Sequence, residues 1–192
     1  MKKKVIIAVV VLLVVGGGYW LLGQVTRPLP GKDVPDQGRK HVDESVWSTF
    51  KYNSNPPTSG PHDPVWTTKG IYSSPIGKGH VLHSLEHGYI EMHYNCAAPK
   101  TNVSMDDGVW SSQSCKNLVD DLKQIVNEKT LWKMIVIPNQ TIDTKLTIAA
   151  WDRIDPMTPA GSNGHISGSQ KAEIEDFIDT FRDHGPEQTM EP

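Results

Sequence analysis

The sequence predicts a single α+β domain, with a mainly antiparallel sheet and two helices packed on it, preceded by an N-terminal transmembrane helix. Three observations carry this expectation. An uncharged apolar run fills residues 5–22, apolar residues recur at helical spacing in two later segments, and short strand-like runs lie between and before them.

The N-terminal run follows Lys2, Lys3 and Lys4. Its 18 residues make a helix of roughly 27 Å, enough to cross the hydrocarbon of a bilayer. Residues 1–23 are therefore expected to be a signal-anchor, a single pass with the N-terminus cytoplasmic and the rest extracytoplasmic. Tyr19 and Trp20 stand where an outer aromatic belt belongs. Cleavage of a signal peptide is the competing reading, but no A-x-A pattern follows the apolar core, and no cysteine sits there for a lipid anchor.

Residues 24–40 are polar and rich in proline and glycine and read as a stalk. The domain proper spans 41–192, enough chain for one core. A loop at 53–62, with three prolines, precedes two candidate strands at 81–86 and 89–94 that meet near Gly88. Leu118, Leu122, Ile125 and Val126 mark a helix within 111–128, with upstream serines as N-caps. Strands are expected at 132–137, stopped by Pro138, and at 145–151. Ile174, Phe177, Ile178 and Phe181 mark the second helix. Ser167 and Gln170 stand at capping-box spacing at its start, and Gly185-Pro186 at its end.

Charge excludes one class of partner. Apart from the three N-terminal lysines, 16 basic residues (19 − 3) face 22 acidic ones. No basic patch suits a nucleic acid. Cys96 and Cys115, the two cysteines, are expected to form a disulfide in an oxidising compartment.

Four stretches carry a resemblance: D-Q-G-R-K-H at 36–41, P-P-T-S-G-P-H at 56–62, H-S-L-E-H-G at 83–88 and, more loosely, A-A-W at 149–151 with H-G-P-E at 184–187. The exterior part resembles the bacterial domain-of-unknown-function family 3105, found mostly as exported or membrane-anchored proteins. The resemblance implies a compartment and a shared site. It implies no activity.

The candidate site is the histidine-rich stretch itself. His83, Glu86 and His87 spell H-x-x-E-H, the inverted zinc-protease signature, which needs a regular helix. Gly79 and Gly88 bracket the motif and its neighbours favour strands, so a strand is expected there and a metalloprotease is not. In that arrangement His83 or Glu86 faces His87 or His93 across the strand pair, and His62 reaches in from the proline loop. His62, His83, Glu86, His87 and His93 are thus the expected metal ligands. Imidazoles beside Met92 and Met105 would suit copper, and imidazoles with Glu86 would suit zinc.

The competing reading is a non-catalytic interaction module at the outer membrane face. There the same histidines and glutamate form a structural hydrogen-bond network, and a patch around Trp66, Ile71 and Tyr72 meets a protein partner. His41 is a possible further member of the site. His80 and His165 read as loop residues, and His184 as a complement to the helix dipole. Ser59 and Ser84 lie outside any G-x-S-x-G, so no serine hydrolase is expected, and no enzymatic activity follows from the sequence.

Overall fold

A computed structural model describes residues 2–25, 27–187 and 189. Helix α1 spans Lys2–Val25, and α2 is a single turn at Glu44–Trp47. The described apolar side chains of α1 are exposed, Leu12 at 72 % and Leu13 at 70 %. Among the described residues no helix is long and apolar enough to cross a membrane. The expected span at 5–22 takes in Ala8, Trp20, Leu21 and Leu22, whose side chains lie outside the described set.

The domain is a single α+β unit around one six-stranded sheet. Its strands are β1 (Lys32–Asp33), β2 (Gly70–Ile71), β3 (Ile90–Tyr94), β4 (Met134–Pro138), β5 (Leu146–Ala150) and β6 (Arg153–Met157), in the order β1-β6-β5-β3-β4-β2. The sheet is mixed, not mainly antiparallel. β3 pairs with β4 in parallel, as does β2 with β4, whereas β3–β5, β5–β6 and β1–β6 are antiparallel. The reason is the connection. Helix α4 (Gln113–Glu128) lies between β3 and β4, and a strand–helix–strand crossover returns the chain parallel.

Helices α4 and α5 (Gly168–Phe181) cover one face. The expected stripe of Leu118, Leu122, Ile125 and Val126 is buried there against Ile90, Met92, Met134 and Ile148. Both helix starts follow from their caps. Ser112 accepts from the Cys115 amide, and Ser167 and Gln170 make the reciprocal capping box. α5 ends at Phe181, four residues before Gly185. Cys96 and Cys115 are bonded, tying the end of β3 to the start of α4.

Two expectations fail here. Residues 24–40 are not a free stalk throughout. β1 adds an edge strand to β6, Val34 is buried, and its amide donates to Asp152 O at 2.9 Å. Nor are residues 81–86 a strand. They belong to helix α3 (Lys78–Glu86), which with the proline loop covers the opposite face of the sheet. A helix, not a strand, therefore precedes β3.

Candidate metal centre

Helix α3 is short, and only packing makes a helix of nine residues persist. Val81 packs with Tyr89, Ile135 and Ile137, and Leu82 and Leu85 with Ala149. The two glycines that argue against a helix on propensity are what permit this one. A Cβ at Gly79 would meet the Trp47 ring at 2.5 Å. Gly88 has φ +80°, the left-handed position after a helix end. Its amide donates to Leu85 O at 2.9 Å and the Tyr89 amide to Ser84 O at 3.1 Å, the paired bonds of a Schellman cap. Gly88 followed by an apolar residue was the available sequence signal for a helix end.

With α3 helical, H-x-x-E-H projects from one face. His83 and His87 lie one turn apart, ring centroids 4.6 Å from each other. Above them two loops run side by side. The Gly60 amide donates to Gly38 O, the His62 amide to Lys40 O at 3.0 Å and the Val42 amide to His62 O at 2.8 Å. This parallel pairing sets His41 beside His62.

The result is a cluster of imidazoles around one carboxylate. His41, His62, His83 and Glu86 each offer a donor atom, and these atoms lie within 4.8 Å of one another. His62, His83 and Glu86 are almost wholly buried, whereas the His41 side chain is 46 % exposed. Glu86 Oε2 is 2.9 Å from His62 Nε2 and 3.4 Å from His41 Nε2, and Arg39 Nε lies 3.9 Å from Oε1.

Two imidazoles are oriented from behind. His62 Nδ1–H donates to Gly60 O at 2.8 Å, and His83 Nδ1–H to Asp63 O at 2.7 Å. Each thereby keeps Nε2 for another partner, the usual arrangement of a metal-bound histidine. Burial, with the neighbouring imidazoles, lowers the His83 pKa to about 4 and holds that of His62 below its ordinary value. Both rings therefore favour the neutral form that ligates metal. His62 Nε2 thus faces Glu86 Oε2 at 2.9 Å.

His87 is buried beside this group, and neither of its ring nitrogens has a hydrogen-bond partner. Trp66 roofs it edge-on, 5.1 Å from His87 and 5.7 Å from His83. His93 is elsewhere, on β3, bonded to Glu91 at 2.7 Å and facing Asn139. So His62, His83 and Glu86 of the expected ligands converge, His87 adjoins them, and His93 sits apart. The expected strand pair does not exist, because His87 caps a helix instead of facing β3. His41, the further member that the sequence suggests beside those ligands, completes the converging group.

Met92 and Met105 are also apart. Met92 is in the core under α4 and α5, and Met105 lines a surface hollow beside Trp110.

Fold and site together define a class: a mixed-sheet α+β domain carrying a His/Glu cluster with the donors and spacing to hold a metal ion. More specifically, residues 41–113 match the model of a family described as protein of unknown function (DUF3105). The matched span holds all four converging residues. Neither curated proteins nor solved structures give a match.

Proposed function

We propose that this domain binds one transition metal ion, zinc in preference to copper, through His41, His62, His83 and Glu86. It does so at the outer face of a membrane to which residues 5–22 anchor it. The observation that carries the reading is the convergence of four donors, with two imidazoles already fixed by backbone carbonyls. Three nitrogens and one carboxylate oxygen form a borderline-to-hard set that suits zinc, and neither methionine is close enough to favour copper.

Zinc bonds of about 2.0 Å put tetrahedral donors roughly 3.3 Å apart. The widest present separation of 4.8 Å must therefore close somewhat. His41, half-exposed and on a loop, is the arm free to move.

His87 weighs against the purely structural network. A network that merely locked the loop would satisfy its members, yet both His87 nitrogens are buried without a partner. The interaction-module reading is also weakened at its patch. Tyr72 packs against Ile135 and Ile137 instead of facing outward, leaving Trp66 and Val65 exposed. Support for the anchor comes from the lysines before an uncharged run and from a disulfide that suits an oxidising compartment.

The test is elemental analysis of the full chain, purified in detergent without a histidine tag, after loading with zinc or copper and removal of excess ion. One zinc per chain is expected, lost when His62 and His83 are both replaced by alanine. No stoichiometric metal, with thermal stability unchanged by either ion, would refute it. For the anchor, the chain should stay with membranes through alkaline carbonate washing, and release would remove that part of the reading.

A further inference from the structure

A second polar centre lies on the same side of the sheet, and the metal proposal does not use it. Glu91 and His93 project from β3 toward the proline loop and the start of α3, where they line a cavity of about 240 Å³. Pro56, Pro57, Ile76, Val81 and Ile137 wall it.

The hydrogen bonds fix the proton positions. Asn139 Oδ1 accepts from the Thr141 amide at 3.0 Å and from its hydroxyl at 2.8 Å, which turns Asn139 Nδ2 toward His93 Nδ1 at 3.1 Å. His93 Nδ1 is therefore an acceptor and its proton is on Nε2, which donates to Glu91 Oε2 at 2.7 Å. Glu91 is 1 % exposed, and its second oxygen, Oε1, is buried with no partner. Lys78 borders the same cavity, but its ammonium lies over the Tyr52 ring, 4.8 Å from the centroid. Burial accordingly raises the Glu91 pKa, against the opposing bond from His93.

A cavity with apolar walls and one oriented acid selects for a ligand with a matching head and an apolar body. We propose that this cavity binds a small primary ammonium compound with a short hydrocarbon body, its N–H group donating to Glu91 Oε1. An ammonium supplies both the missing donor and the missing positive charge, and charge-assisted bonds of this kind are the strong ones. A metal ion fits less well, because the one convergence of three or more metal-type side chains among the described residues is the other cluster. The proposal stands whether or not that cluster holds an ion.

The loop that walls the cavity with Pro56 and Pro57 also carries His62. Asn55 fastens it to the loop after β4 through its amide on Thr141 O at 2.8 Å.

The experiment titrates the full-length, metal-free chain in detergent with n-butylamine hydrochloride or benzylamine hydrochloride, with n-butanol as the uncharged control, by calorimetry. Saturable amine binding is expected, with n-butanol at least about tenfold weaker. Glu91→Gln should lower amine affinity by a similar factor and leave zinc uptake as in the wild type. Because that change is in the core, Ile76→Trp, at the half-buried wall, serves as the second variant and should block the amines by filling the space. Failure of both amines to saturate, equal binding of amine and alcohol, or undiminished amine binding in both variants would overturn the proposal.

Discussion

Replacing Glu86 by glutamine separates a metal centre from a structural network. The change keeps the shape and removes the charge that faces His62 at 2.9 Å, His41 at 3.4 Å and Arg39 at 3.9 Å. Without metal, both accounts predict a loss. A hydrogen bond to a charged group contributes about 1.5–3 kcal/mol and a neutral one about 0.5–1.5, so the apo-protein should lose roughly 1–2 kcal/mol. With metal, the accounts part. An ion that binds only the folded chain stabilises it by about 2.7 kcal/mol when present at 100 times its dissociation constant. For a domain of this size, that raises Tm by roughly 5–11 °C. Glu86→Gln removes the anionic donor, so most of that increment should vanish at the same zinc concentration. The assay is thermal unfolding followed by circular dichroism, with and without zinc, and again after a chelator. An unchanged zinc increment in the variant would refute the assignment of Glu86 as a ligand. A wild type that shows no increment would refute the metal centre itself.

Two further outcomes follow from the scaffold. Asp155 on β6 is buried with one carboxylate oxygen unpartnered, and burial, aided by Glu173 and opposed by Lys32, pushes its pKa to about 6. A carboxyl whose native pKa is raised favours folding below its unfolded value near 3.8 and loses that advantage as pH climbs through 6. At most about 3 kcal/mol is at stake. Asp155→Asn should flatten the stability difference between pH 4 and pH 7 measured by urea unfolding, and an unchanged slope counts against the buried charge. At Gly185, a Cβ would collide with Glu86 O and the Gly88 amide and lie 2.8 Å from Gly88 Cα. Gly185→Ala should cost about 1–3 kcal/mol in the same assay and weaken zinc binding by displacing the end of α3; a variant as stable as wild type would mean the C-terminal segment yields freely.

What could be read from the sequence was what local pattern determines. The apolar stripe of α4, the capping box of α5 and the cores of β3, β4 and β5 each depend on residues within a few positions of one another. The single disulfide followed from counting two cysteines. What failed depended on partners distant in sequence. By propensity alone its glycines make α3 read as a strand, whereas Trp47 requires the bare Cα of Gly79 and the Schellman cap requires Gly88. β1 and β2 are two residues each and exist only through their neighbours β6 and β4. A strand pair meeting near Gly88 would bring His87 and His93 to one site, but β3 begins at Ile90 and His87 belongs to the end of α3. His41 owes its place to backbone pairing between two loops, which no periodicity announces.

The corrected helix reopens the question its motif raises, and the surroundings of Glu86 answer it. In a hydrolytic zinc site of the H-x-x-E-H type, the two histidines hold the ion and the glutamate between them must be free to take a proton from water. Here the helix is present and His83 and His87 share its face, so geometry along the helix does not exclude that chemistry. The glutamate does. It is 2 % exposed and already engaged by His62, with His41 and Arg39 behind, and the group whose donor atoms converge includes Glu86 but not His87. A carboxylate so held acts as a ligand or a counter-charge. The chemistry of the motif is therefore set by the two loops laid over the helix. D-Q-G-R-K-H brings Arg39 and His41, and P-P-T-S-G-P-H brings His62, and backbone bonds between those loops fix them relative to each other. The three motifs make one site because each supplies a part the others lack.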